Sequence, residues 1–341
     1  MSIVDKTPVD GVDNAPVRSA RRGLRREPER FALIGVWIAL IIFFIIVVPE
    51  TFPSTANLSN MLGSQAVLLI LALGLIIPLR AGDYDLSVAS VLTLSAVIVA
   101  ALNVNRGWPV WQAAIVAVAA GLVIGVLNGL IVTKFDIDPF IVTLGIGTVV
   151  VGLTYIVCGS ATISGVDPVL SKVMLSKPFL SIPLDFYYAV VLCVVVWYLF
   201  DYTAFGQRLL FVGQNRDVAR LNGVAVARLR WIALTCSATI GAVAGVVYVG
   251  TTGSADPVSG AGFLLPAFAA SFLGSTALRI GRFNPWGTLI AVYFLVTGIT
   301  GLQLMGAQQY VQQLFYGGAL VIAVVLSKLV RARSERRRLA R

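Results

Sequence analysis

The sequence predicts an all-α polytopic membrane protein of about ten transmembrane helices, with both termini in the cytoplasm. Three observations carry this reading. Hydrophobic residues make up 58% of the 341-residue chain and charged ones 12%, where soluble chains carry about 25% charged residues. Apolar runs near the length that crosses a bilayer recur along the chain. The basic residues fall at alternate ends of those runs.

Residues 1–30 are polar and rich in arginine, from Arg18 to Arg30, and read as a disordered cytoplasmic tail. Phe31 to Val48 is too long for the apolar part of a signal peptide and no cleavage site follows it, so it reads as an uncleaved first span. Further spans are expected over 62–79, 86–102, 110–133, 139–158, 183–200, 229–251, 263–278, 284–301 and 307–327. The membrane domain is therefore 31–328, and 329–341 is a second basic tail. With the N-terminus inside and the sides alternating, 23 of the 26 basic residues lie inside; the other three are Arg106, Lys172 and Lys177. Cytoplasmic loops of membrane proteins carry such an excess. A missed or extra span in the middle would scramble the partition. Trp108, Trp111, Tyr187 and Tyr188 near the outer ends fit an interfacial aromatic belt. The glycines of two spaced sets, Gly121, Gly125 and Gly129, and Gly241 and Gly245, let helices approach closely. Packing within one subunit is the first reading of them, a homodimer face the second.

Several chemistries are excluded by composition. The chain has no histidine, which removes His-dependent catalysis, metal ligation and proton relay. Cys158, Cys193 and Cys236 lie far apart inside apolar runs and read as buried small hydrophobes. No metal site or cofactor is expected. The net charge of +10 follows span ends rather than forming a nucleic-acid patch. No phosphate-binding loop of the G-x-x-x-x-G-K-[ST] kind occurs, so any ATP hydrolysis belongs to a separate chain.

Two segments remain as candidates for function. The longest inside loop, 201–230, contains a stretch from Asp217 to Leu221 able to form a short amphipathic helix. Asn215 or Asp217 would cap it and Gly223 would stop it. Such a helix is a surface that a partner protein can push, with Gly206 and Gly213 as turning points. Arg216 and Arg220 would offer donors to it, Ala219 and Gly223 would fit a groove, and Leu221 would be the apolar anchor. An ordinary basic loop is the plain alternative. The other segment is Arg80 to Ser87, where Pro78 and Gly82 interrupt an apolar stretch ahead of Asp83 and Asp85. Acidic groups there face a bundle interior or water, and broken helices are where transporters open backbone to a pathway. Gly82, Asp83, Asp85, Ser87 and Asn128 are the pathway candidates, although the first reading of Asp85 is a cap for a helix starting at Leu86. Asp138 before Pro139 reads as a cap. Other polar residues in spans (Thr143, Thr148, Thr288, Gln303, Gln308, Gln309, Gln312 and Gln313) would line a path for a hydroxyl-rich solute or bond a neighbouring helix.

Three stretches, in this order, carry a family resemblance. They are LILALGLIIPLRAGDYDLSVASVLTLS at 69–95, NGLIVTKFDIDPFIVTLG at 128–145 and FGQRLLFVGQNRDVARLNGV at 205–224. The chain resembles the permease subunits of ribose/xylose/galactoside-type ABC sugar importers, within the branched-chain-substrate permease superfamily. The resemblance spans nearly all of 31–328. It implies a multi-pass protein of the inner membrane, paired with itself or a paralogue and bound to two ABC ATPase subunits. They would dock at 206–223, on Gly206, Gln207, Arg208, Gly213, Asn215, Arg216, Ala219, Arg220, Leu221 and Gly223. An extracytoplasmic solute-binding protein would deliver the sugar. A secondary carrier is the rival reading; an intramembrane enzyme is a distant one, since no nucleophile–base pair is visible.

Overall fold

The computed structural model describes residues 28–339, with side chains over 30–325. A single turn of 3-10 helix, Pro28–Phe31, leads into α1 (Ala32–Val47), followed by α2 (Thr55–Ser64), α3 (Ala66–Arg80) and α4 (Val88–Ala100). The last runs on as a π turn to Asn105. Then come α5 (Val110–Lys134), α6 (Pro139–Cys158), α7 (Pro168–Leu175), α8 (Leu184–Tyr202), α9 (Ala204–Gln214), α10 (Arg216–Leu221) and α11 (Val226–Thr252). The chain closes with α12 (Leu264–Gly274), α13 (Pro285–Leu304) and α14 (Tyr310–Leu339). Strand pairing in named strands is confined to a two-residue antiparallel pair, β1 (Ile163–Ser164) with β2 (Ser254–Ala255).

Seven stretches among the described residues are long and apolar enough to cross a bilayer, and three shorter apolar helices lie over 32–47, 261–274 and 310–325. Each of the ten expected spans falls on one of these ten. Most of the expected tail over 1–30 lies outside the described residues, as do the side chains of the C-terminal basic cluster.

The sequence explains where helices begin. Asp138 accepts a hydrogen bond from the Phe140 amide at 2.8 Å, with Pro139 at the first helical position. Asn284 does the same for Gly287 ahead of Pro285. A proline there loses no hydrogen bond, because the first amides of a helix have no partner in it. The short helix α7 starts on the same Asp–Pro signal, Asp167 accepting from the Val169 amide at 2.9 Å ahead of Pro168, whereas the boundary at Gln65, between α2 and α3, has no strong signal in the sequence.

The core is built on α3 and α11. All fifteen residues of α3 are buried, so its uniformly apolar sequence faces protein on every side. The spaced glycines decide how α11 packs. A Cβ on Gly125 would strike the backbone of Thr235 and the side chain of Ala238, and Gly121 and Gly129 are equally closed by Ala242 and Trp231. Gly241 and Gly245 lie against Val88 and Leu92 of α4. These glycines therefore serve close packing inside one subunit, the first of the two readings. Most hydroxyls within the spans bond their own helix one turn back, as Thr148 does with Leu144 and Thr288 with Asn284, and not a neighbouring helix.

The loops gather at two ends. Residues 80–87, 136, 201–230 and 279 meet at one end through ion pairs. Residues 59, 103, 163–181 and 254 meet at the other. The grouping is the one expected from the alternating charges.

Candidate functional site

The polar centre of the molecule is the break between α3 and α4. The amides of Ala81 and Asp83 both return to the carbonyl of Pro78, at 2.9 and 3.0 Å. Gly82 sits at φ +78°, a left-handed conformation that glycine adopts without steric penalty. The chain thus turns sharply and drops Asp83 and Asp85 into the bundle, both with no exposed surface.

Asp83 holds two guanidinium groups. Arg230, near the start of α11, reaches it through two bonds, Nε to Oδ2 at 2.8 Å and Nη2 to Oδ1 at 3.1 Å. Arg216, the first residue of α10, donates to Oδ1 and to the Gly82 carbonyl. Arg230 also lies 3.8 Å from the exposed Asp136. A forked guanidinium matches a carboxylate edge, and burial strengthens the pair while making either partner expensive to lose.

Directly above, Arg80 is buried and bonds the carbonyls of Gly206 and Phe200, each at 3.2 Å, with its guanidinium 4.2 Å from the Phe200 ring centre. Gly213 is closed by the Arg80 carbonyl. The end of α3 is therefore clamped to both ends of α9. Arg279 pairs with Asp201 at the rim.

The loop expected over 201–230 holds two helices, not one. Thr203 caps α9 and Asn215 caps α10, taking the amides of Asp217 and Val218 at 3.0 Å each. Gly223, at φ +76°, ends the turn after α10. Gly206 and Gly213 lie within the first and last turns of α9 as close-packing positions, not as turning points. Gln207 bonds the carbonyls of Phe200 and Asp201. Arg216, expected to face a partner, is turned inward to Asp83. Ala219 is fully buried within the chain, so it fits no partner groove, whereas Leu221 is 88% exposed. Arg208 and Arg220 are exposed on the same segment. The surface left to a partner is thus centred on Leu221.

Deeper in the bundle lies a second cluster. Asp85 Oδ1 accepts from the Ser87 amide at 3.0 Å and from the Ser87 hydroxyl at 2.6 Å. Asn128 on α5 donates to that same hydroxyl at 2.8 Å. The Leu86 amide donates to Thr143 of α6 at 3.0 Å. Asp85 makes a cap-like bond, but α4 begins at Val88, two residues later than the expected start at Leu86. Burial pushes its carboxyl above the usual carboxylate range, and the bonds from Ser87 oppose that rise. Asp83, Asp85, Ser87 and Asn128 are all closed off from the surface in this conformation. The ring of Tyr84, between them, stays partly exposed and stacks near Phe268 and Phe272 of α12.

Reasoning from the sequence missed Arg80 and Arg230 as parts of this site. Both read as ordinary basic residues at span ends. The available signal was Asp83 itself, since a carboxylate at a membrane edge needs a cation. No group of three or more acidic or cysteine residues with metal-binding geometry occurs among the described residues.

The model of the branched-chain amino acid transport system permease component family matches residues 57–324. The chain is 34% identical to the ribose import permease protein of Bacillus subtilis over 298 residues, covering 86% of this chain and 92% of that protein. It is 30% identical to the galactose/methyl galactoside import permease protein of Salmonella typhimurium, covering 88% and 95%. It is 28% identical to the fructose import permease protein of Rhizobium meliloti, covering 97% and 93%. No solved structure matches.

Proposed function

Because this chain belongs to the family of branched-chain amino acid transport system permease components, we propose that it is the membrane-spanning subunit of an ATP-driven importer for a sugar-like solute. The substrate class follows the relatives, whose names are those of ribose, galactose and fructose import permeases. ATP is hydrolysed by a separate ABC subunit. An extracytoplasmic binding protein delivers the solute to the opposite end. The end bearing α9 and α10 is cytoplasmic, as are both termini; the 23-to-3 division of basic residues supports that orientation. A second permease chain completes the assembly. The sides of α6 and α8 that bury little surface within the chain face it or lipid. The basic residues from Arg331 onward add attraction to anionic lipid, about 1 kcal/mol each near the surface.

One observation carries the reading. The short helix α10 presents Leu221 outward while its first residue, Arg216, is bonded to the buried Asp83. A push on α10 thereby reaches the joint between α3 and α4. The test is co-purification of the ATPase subunit together with uptake of labelled ribose, galactose and fructose, for the wild type and for Leu221→Asp and Gly223→Trp. Both variants should insert normally, lose the ATPase and fail to transport. Normal association and transport in both would remove this segment as the coupling site. Transport in membranes lacking any ATPase would remove the ATP-driven reading altogether.

A further inference from the structure

Three buried oxygen atoms near the start of α4 have no hydrogen-bond partner: Asp85 Oδ2, Asn128 Oδ1 and Ser237 Oγ. They come from three separate elements, the 81–87 segment, α5 and α11. All three residues have no exposed surface. Unpartnered polar atoms in a packed interior are rare and ask for an explanation. Ser87 ties two of the residues together, donating to Asp85 Oδ1 and accepting from Asn128 Nδ2.

We propose that this cluster binds a single proton, so that Asp85 is a neutral carboxylic acid whose Oδ2–H closes a hydrogen-bond chain through Ser237 to Asn128. The count of hydrogens supports it. Asp85 Oδ2 and Asn128 Oδ1 are pure acceptors when the carboxyl is ionised, and Ser237 brings one hydrogen. One donor cannot serve two acceptors and also have its own oxygen satisfied. One added proton on Oδ2 completes the set: Oδ2–H donates to Ser237 Oγ, and Ser237 Oγ–H donates to Asn128 Oδ1. No bond is left open and no net charge is buried.

The charged groups nearby leave Asp85 without a counter-ion. Arg230 and Arg216 are both bonded to Asp83. Arg80 faces the carbonyls of Gly206 and Phe200. Lys134 at the end of α5 is exposed over Phe135, and Asp136 and Asp138, between α5 and α6, are exposed as well. Cys236 on α11 is a partly buried free cysteine. Arg106 follows the π turn at the far end of α4. The Ser237 hydroxyl and the Ser87 and Val88 amides favour an anion at Asp85, but burial outweighs them, and the two bonds of full hydrogen-bond geometry both fall on Oδ1. Oδ2 is left in a closed, uncharged shell, where the ionised form is disfavoured. A sodium ion would answer the charge as well, but three free oxygens are fewer than the roughly six to eight oxygen ligands a hard cation of this size takes, and the experiment below separates the two.

Infrared spectroscopy of the purified protein tests this. Three carboxyls are buried, those of Asp83, Asp85 and Asp185; Asp83 is bonded to two guanidinium groups, and an Asp185→Asn background removes the third. At neutral pH it should show a carboxylic-acid C=O stretch that Asp85→Asn abolishes. Asp85→Asn, which imitates the neutral acid, should also flatten the pH dependence of thermal stability. A carboxyl whose pKa is raised by folding stabilises fully at acid pH and loses that contribution as pH rises through its folded value. The wild type should therefore lose stability, relative to Asp85→Asn, toward alkaline pH. If Asp85→Asn fails to fold, the band in the Asp185→Asn protein decides alone. Absence of an acid band at neutral pH overturns the proposal, and sodium-dependent stability without such a band would replace the proton by a cation.

Discussion

The two ends of the bundle are fastened by different chemistry. At the end carrying α9 and α10, Asp83 holds Arg216 and Arg230, Arg80 clamps α9, and Arg279 pairs with Asp201. At the other end the ties are neutral: a two-residue strand pair, Asn103 accepting from the Asp167 amide at 2.8 Å, and Ser59 donating to the Ser181 carbonyl. Breaking a buried ion pair leaves an uncompensated charge at a cost of about 3–5 kcal/mol, whereas isolated neutral hydrogen bonds contribute about 0.5–1.5 kcal/mol each. The first end is built to move as one piece. The second is built to open loop by loop. This division suits a permease in which work enters at one end and solute at the other.

The largest expected effect breaks the first end. Asp83→Ala leaves Arg230 buried with only the exposed Asp136, 3.8 Å away, as a partner, and should lower unfolding stability in detergent by about 3–5 kcal/mol. The double variant Asp83→Leu with Arg230→Met should recover much of that loss. Equal damage in the single and double variants would show that the pair is not the source. A substitution at the clamp comes next. Gly213→Val places a branched side chain against the Arg80 carbonyl and should cost about 1–3 kcal/mol through overpacking. A thermal shift within error of wild type would mean that α9 is free to move away from α3.

Smaller effects mark the other end and the rim. Asn103→Ala should cost about 0.5–1.5 kcal/mol. It should raise hydrogen exchange in 163–181 without changing exchange in 201–230; a change in both would argue against independent ends. Arg279→Ala removes a half-exposed pair and should cost at most about 1 kcal/mol, declining with added salt. A larger, salt-insensitive loss would place that pair among the structural ones.

Much of this architecture is written in periodicity and charge. The ten apolar helices, the capping of α6 by Asp138 and of α10 by Asn215, and the closing role of Gly223 all follow from local rules acting on neighbouring residues. Arg230 shows where local rules end. Nothing within ten residues of it on either side distinguishes it from Arg228, yet it is buried against a carboxylate 147 positions earlier. Ala219 and Arg216 show the same limit within one short helix. The sequence marks α10 as amphipathic, but the side facing Asp83 is chosen by how α3 and α11 pack. Asp85 was legible as a buried acid, and its open oxygen was not, because that depends on Asn128 and Ser237 arriving from other helices.

The central claim is that α10 drives the joint between α3 and α4 through Arg216 and Asp83. Arg216→Met tests it most directly, because the residue is at the surface of the fold and turned away from the face centred on Leu221. In proteoliposomes with the ATPase subunit and the binding protein, solute uptake and ATPase association would be measured together. The account predicts ATPase association at the wild-type level with uptake reduced about ten-fold or more, equivalent to about 1.4 kcal/mol of lost coupling. Uptake at the wild-type rate with the ion pair removed would contradict it.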